Sequence, residues 1–471
     1  MMEEKINDDE RLFVALQKLA SVVKQAIEEA IADQTISFVP RLYQRRNFDV
    51  FDPPHFEWHE EFFYKLTADF VKIHPRTFIE QISNSKEFKE GFEILEELYN
   101  KDKSPLLSKF IVELIQKYLL QYQVKQKLDD SIAQHLITCF LKELKGKPLK
   151  HWASVELQGI KLEMESVNPS SGIVLRQVRK EDYEIEFPFF SLMPEELAFP
   201  EPQGFTILEI EEETTSIEII REEIELISKI LRLFRIGGVK PVRIAIHSEA
   251  LASGTYKTFP TSILPLTIPS YTIRQKDKDK LKNFWREIEK PLLNLPNPTQ
   301  TPKPGLEHLF FANTFYEDAL LREGRFEEKV ARAVMGLEAL LLKPIEKQEL
   351  SYRLRLRTAK LLGLFGFNAI DVKKSIQRAY DIRSNYAHGG LLSNEDIKDI
   401  RSEYNRLEDF LYSILNYLRL LLITMLICEA SEIQKDGLIT LLDNSFIDPN
   451  QDKELKEKLS KAIEIVQEVK E

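Results

Sequence analysis

The sequence predicts a mainly α-helical protein with a mixed α+β segment in its middle, and three observations carry that expectation. Apolar residues recur at three-and-four spacing through the first 150 residues and again beyond residue 305, the period of an amphipathic helix. Between 151 and 290 the pattern shifts to short alternating runs, the period of a half-buried strand. Pro291, Pro296, Pro298, Pro302 and Pro304 then mark a linker of limited flexibility. At 471 residues the chain is too long for one core. It divides into a mainly helical region of unassigned role (1–150), an α+β module (151–290), an all-α helical bundle (305–435) and a helical tail (436–471).

Taken in order, residues 8–33 place Leu12, Leu16, Leu19, Val23 and Ile27 on one helical face. The aromatic segment from Phe48 to Phe70 includes Trp58, Phe62 and Phe63; such rings usually fill a core, and stacking of RNA bases is the rarer use. Helical patterning returns near Phe88 and over 106–144. After Gly146-Lys147-Pro148, strands are expected at 155–164, 173–178, 183–187, 205–210 and 242–246, with a helix over 216–234 stopped by Gly237-Gly238. The charged run 276–282 reads as a solvated helix start. Helices follow at 307–321, 325–343, 346–363 and 370–388. One long last helix should begin after Ser393, where Ser393 and Asp396 resemble a capping box, and carry its apolar stripe from Ile397 to Cys428. The segment 451–471 reads as a charged amphipathic helix, loosely attached.

Composition excludes several classes. With 43% hydrophobic and 30% charged residues, the chain fits a soluble globular protein rather than a disordered one. A net charge of −11 argues against indiscriminate coating of nucleic acid, so any RNA contact must rest on a local basic patch. Cys139 and Cys428 offer neither a disulfide framework nor a metal-ligand spacing. His55 and His59 beside Glu60 lack a third ligand in sequence, so neither metal nor cofactor is expected. The N-terminus lacks the apolar core of a signal peptide, and the run 420–428 is too short to span a bilayer; a cytoplasmic protein without a membrane partner is expected.

The chemistry concentrates in Arg383-Ser384-Asn385-Tyr386-Ala387-His388, followed by Gly389-Gly390. A guanidinium holds phosphate oxygens with a planar fork of donors, and an imidazole passes protons near neutral pH. Together they supply the minimum for cutting RNA without a metal. Five residues turn a helix by about 140°, so the two do not share a narrow face. The length of arginine and the glycine pair, which lets the chain leave the helix at His388, can bring them to one substrate. The structural alternative is that Arg383 pairs with Asp381 or Glu338 while His388 merely caps the helix.

With Gly336-Leu337-Glu338-Ala339-Leu340-Leu341-Leu342, Glu349-Leu350-Ser351-Tyr352-Arg353-Leu354 and Tyr380 to Gly389, the region 305–435 resembles the Apea-like branch of the HEPN family. These are small helical domains, often dimeric, found in prokaryotic defence and toxin proteins, and many are ribonucleases. The resemblance implies that the bundle is a HEPN bundle and that Arg383 and His388 match the family's catalytic arginine and histidine. The polar residue that usually follows the arginine is Asn, Asp or His; here it is Ser384, with Asn385 one place later. Ser384, Asn385 and Glu338 are supporting candidates, Glu338 because a carboxylate in an apolar helix needs a partner. Between Ser351 and His388 eight basic residues face two acidic ones, and Arg353, Arg357, Lys360, Lys374 and Arg378 are the RNA-binding candidates. Arg353 and Arg357, four apart, share a helix face; an exposed basic face that merely balances acidic surfaces elsewhere is the alternative. The implied function is a metal-independent endoribonuclease acting by 2′-hydroxyl attack. Its partners would be RNA, tRNA among the candidates, and a second copy of the chain through the bundle. The alternative is a non-catalytic module that binds RNA or a nucleotide, or only dimerises.

Overall fold

The computed structural model describes residues 8–32, 38–42, 62–66, 82–99, 104–125, 127–179, 206–251, 256–258, 269–296 and 301–470. The expected strand at 183–187, the His55/His59/Glu60 group and the aromatic segment, apart from the backbone of 62–66, lie outside these residues. The protein is mainly α with an α+β part.

The chain opens with α1 (Asp8–Ala32), a strand pair β1 (Phe38–Leu42) and β2 (Phe62–Leu66), then α2 (Lys86–Tyr99), α3 (Ser104–Lys125) and α4 (Ser131–Leu144). Leu12, Leu16, Leu19 and Val23 of α1 meet Phe110 and Leu114 of α3 and Phe140 of α4 in one buried cluster. The apolar stripe seen in 8–33 is therefore a core stripe.

Next come β3 (Leu149–Gln158), β4 (Ile160–Leu162), β5 (Ser166–Ser170), β6 (Ile173–Gln177), β7 (Thr206–Thr214), α5 (Ile217–Phe234), β8 (Lys240–Ser248), β9 (Tyr256–Thr258), β10 (Tyr271–Ile273) and α6 (Lys278–Leu293). Six strands form a sheet in the order β5-β6-β7-β3-β8-β9, antiparallel throughout, while β10 and β4 pair in parallel. Ser216 caps α5 by accepting from the Glu218 N–H at 3.2 Å, and the helix buries Ile220, Ile224, Ile227 and Leu231. Gly237-Gly238 does more than stop this helix. Gly159, at φ +82°, lies so close that a Cβ would stand 2.4 Å from the Gly238 carbonyl oxygen, so only glycine fits there.

The remainder is helical: α7 (Glu307–Leu321), α8 (Phe326–Leu341), α9 (Leu350–Leu364), α10 (Ala369–Ala387), α11 (Asn394–Glu403), α12 (Leu407–Ala430), α13 (Lys435–Asn444), α14 (Pro449–Lys458) and α15 (Ser460–Val469). Helix α12 lies at the centre, buried along nearly its whole length. A Cβ on Gly336 of α8 would stand 2.6 Å from Leu418 Cδ2, which explains a glycine inside a helix: α8 and α12 pack too closely for a side chain. One apolar cluster runs from Leu208 and Ile224 through Phe284 and Leu337 to Leu418 and Val466, so the sheet, bundle and tail share a core.

Five expectations need correction. The long last helix is two helices, because Tyr404 leaves the helical path to pack edge-on against Phe410 (centroids 5.2 Å apart) and to share a 2.9 Å hydrogen bond with Ser375. The tail is not loose, since Leu455, Leu459 and Val466 are fully buried in the main core. Pro291 belongs to the last turn of α6 rather than to the linker, and Asp277, read as part of a solvated start, is buried and held by both terminal nitrogens of Arg235 at 3.0 and 2.8 Å. Finally, the apolar run 420–428 is part of a helix, Leu407–Ala430, long and apolar enough to cross a membrane by length and composition. Its most apolar window is 83% buried within the fold, as befits a central core helix.

Candidate functional site at the end of helix α10

Helix α10 starts at an Asn368 cap, whose side chain accepts from the Ile370 N–H at 3.0 Å, and buries Val372, Ile376, Ala379 and Ile382. It ends in a Schellman turn. His388 is the C-cap, Gly389 takes φ +80°, and the N–H groups of Gly389 and Gly390 donate to the carbonyls of Tyr386 (3.0 Å) and Asn385 (2.8 Å). The glycine pair thus releases the chain at His388, whose ring is exposed and makes no hydrogen bond among the described residues.

Arg383 leaves the same helix towards α8. Its Nη2 donates to Glu338 Oε2 at 3.2 Å, and its guanidinium lies 5.8 Å from the Tyr380 ring centroid. Of the two acidic partners foreseen for Arg383, the structure selects Glu338. Burial pushes the Glu338 carboxyl above its usual range, and Arg383 pulls it part of the way back. The arginine side chain remains 31% exposed, with one hydrogen bond among the described residues, so most of its donor fork is open. Ser384 is half-buried and Asn385 exposed, and the Asn385 carbonyl forms part of the turn that presents His388.

The basic residues are arranged differently from the expectation. Arg357 does not share an exposed face with Arg353; it is 1% exposed and acts as a core cation. It donates to Glu346 Oε2 (2.8 Å), Asp443 Oδ1 (2.8 Å) and the Leu341 carbonyl (2.8 Å). Arg353 joins Glu346 at 3.2 Å, Lys360 pairs with Asp452 at 2.7 Å and Arg378 with Glu403 at 2.8 Å. Lys374 is the one RNA-binding candidate without an acidic partner among the described residues. The compensating acids come from before and after the stretch whose charges were counted, which is why the local excess overstated the basic surface.

A cleft of about 330 Å³ opens between α10 and α11. It is lined by Lys374 and Arg378 but also by Asp381, Asp396, Asp399 and Glu403, so its walls carry more acid than base. Asn385 reaches it, whereas Arg383 and His388 do not line it.

No family model, curated protein or solved structure matches the chain. Sequence reasoning missed one other constellation: His135, Cys139 and Glu249 bring their donor atoms within 4.8 Å of one another. The signal was His-x3-Cys on a helix, visible in sequence; the carboxylate that joins it comes from a distant strand end.

The Arg357 cluster makes a testable statement about acid. Hydrogen bonds from Arg357 hold the Glu346 carboxyl down at about 2, against about 4.3 in an unfolded chain. A carboxyl depressed on folding contributes stability that is complete above the unfolded value and is lost as pH falls through the folded one. Urea midpoints measured from about pH 6 to about pH 2.5 should therefore fall more steeply for the wild type than for Glu346→Gln. Equal slopes would remove Glu346 from the acid response.

Proposed function

We propose that the bundle 305–435 is a HEPN-type, metal-independent endoribonuclease with Arg383 and His388 as its catalytic pair. The observation that carries this reading is the end of α10: an exposed imidazole at the helix C-cap, five residues beyond an arginine with most of its donors open. The 2′-oxygen attacks the adjacent phosphorus, the bond to the 5′-oxygen breaks, and one proton leaves the 2′-hydroxyl while another reaches the leaving oxygen. His388 moves a proton at one of these oxygens, and Arg383 holds the charge that builds on phosphorus. Glu338 is a positioning residue that fixes the guanidinium through its 3.2 Å ion pair. One imidazole cannot serve both oxygens at once, so the working unit is a dimer through the bundle, pooling two histidines. The substrate is cytoplasmic RNA, tRNA included, in a defence or toxin setting.

Analysis of product ends tests the chemistry. This reading expects 2′,3′-cyclic phosphates and 5′-hydroxyls; 3′-hydroxyls with 5′-phosphates would overturn it in favour of a metal-dependent cut. The pairing of Arg353, Arg357, Lys360 and Arg378 with acids favours one second reading, a non-catalytic binding or dimerisation module with little surface charge for RNA.

A further inference from the structure

His135 and Cys139 lie one turn apart on α4, so their side chains share a helix face. Glu249, in the bend just after β8, reaches the same point from the sheet. The Cys139 Sγ and the Glu249 Oε1 each lie 3.4 Å from one atom, His135 Nε2. The second carboxylate oxygen of Glu249 accepts from the Lys150 N–H at 3.2 Å, which fixes the aim of the first.

A single ring nitrogen suits this position badly. Protonated, Nε2 has one hydrogen to share between two acceptors, the carboxylate and the sulfur; deprotonated, it can accept from the thiol but turns its lone pair towards a carboxylate. A cation in place of that proton satisfies all three groups. Zinc binds nitrogen at about 2.0–2.1 Å, carboxylate oxygen at about 2.0–2.2 Å and thiolate at about 2.3 Å, which sets tetrahedral ligand-to-ligand edges of about 3.3–3.8 Å. The two contacts of 3.4 Å fall in that range. Thiolate and imidazole together select zinc-like ions over magnesium or calcium.

We propose that His135, Cys139 and Glu249 bind one divalent transition-metal ion of the zinc class, as a structural clamp between α4 and the end of β8. The location supports a clamp. Cys139 packs with Leu149 and Ala250 in a small cluster between the two large ones, the N-terminal helical core and the sheet-and-bundle core. Leu251, two residues beyond Glu249, donates its N–H to Glu143 of α4 at 2.7 Å and packs into the helical core. A metal here ties α4 of the helical core to the end of β8 in the sheet.

Full-length protein stripped with a chelator and titrated with Co²⁺ gives the decisive test. The expected result is one equivalent bound, with a thiolate-to-cobalt charge-transfer band in the near ultraviolet, and displacement by Zn²⁺. Cys139→Ser should abolish that band, and His135→Asn should weaken binding by roughly tenfold or more, since even changes around a ligand cost about that much. Cys428→Ser and the double variant His55→Ala/His59→Ala should bind as the wild type does. Circular dichroism of the metal-free variants establishes that they fold, and Zn²⁺ should raise the melting temperature of the wild type but not of Cys139→Ser. Binding unchanged in Cys139→Ser and His135→Asn, binding lost in the His55/His59 variant, or no binding at all would each overturn the proposal. The readout is metal binding rather than RNA cleavage, so it stands or falls apart from the nuclease reading.

Discussion

Arg383→Ala is expected to slow RNA cleavage by about 10²–10³-fold, the usual cost of removing one donor aimed at developing charge. The fold should survive, because the side chain is partly exposed and its described contacts are the Glu338 ion pair and the Tyr380 ring. The variant leaves Glu338 half-buried without its cation. Burial already pushes that carboxyl up, and without Arg383 it moves further up, which lessens the cost of the lost partner. The stability cost should then be about 1 kcal/mol or less. Adding Glu338→Gln to Arg383→Ala should restore the melting temperature and leave cleavage as slow as before. If cleavage returned with the second substitution, Arg383 would act only by neutralising Glu338.

The largest stability effect is expected at Arg419. Replacing it with methionine should lower the unfolding free energy by about 3–5 kcal/mol, because three buried carbonyls lose their donor at about 1–3 kcal/mol each. Arg419 is 1% exposed in the middle of α12. Its Nη1 donates to the Leu233 and Phe234 carbonyls at 2.7 and 2.8 Å, and its Nη2 to the Val469 carbonyl at 3.2 Å and to Asn416 at 2.8 Å. Those carbonyls end α5 and α15, where the helix dipoles are negative and a cation is favoured. One side chain thus joins the sheet side, the central helix and the tail. Methionine fills similar volume but leaves the carbonyls unsatisfied, each costing about 1–3 kcal/mol. Urea unfolding measures the loss; a change below about 1 kcal/mol would mean that water replaces the guanidinium without penalty.

What could be read from sequence followed what is local. The helices at 307–321, 326–341, 350–364 and 369–387 lie close to their expected limits, since apolar period and the stops at Gly324, Pro344 and Gly366 are written in adjacent residues. The break at Tyr404 was not readable, because it depends on Ser375 and Phe410 lying beside it in space. The turn at Gly389-Gly390 was readable, and so was the need of Glu338 for a partner, since a charge on an apolar face must be neutralised somewhere. Arg357 was misread for the opposite reason: Glu346 lies in a loop and Asp443 on a helix much further along, and nothing in the run around Arg357 names them. Glu249 escaped notice in the same way, because sequence does not say which strand end α4 will meet.

The central claim, that His388 moves a proton during RNA cleavage, is tested most directly by one comparison. Purified wild type and His388→Ala, matched in circular dichroism and in size, are incubated with total RNA and with tRNA in EDTA. The wild type is expected to cleave, and the variant to be slower by about 10²–10⁴-fold, the contribution of a positioned general acid or base. Equal cleavage by both proteins, or none by either, would contradict it.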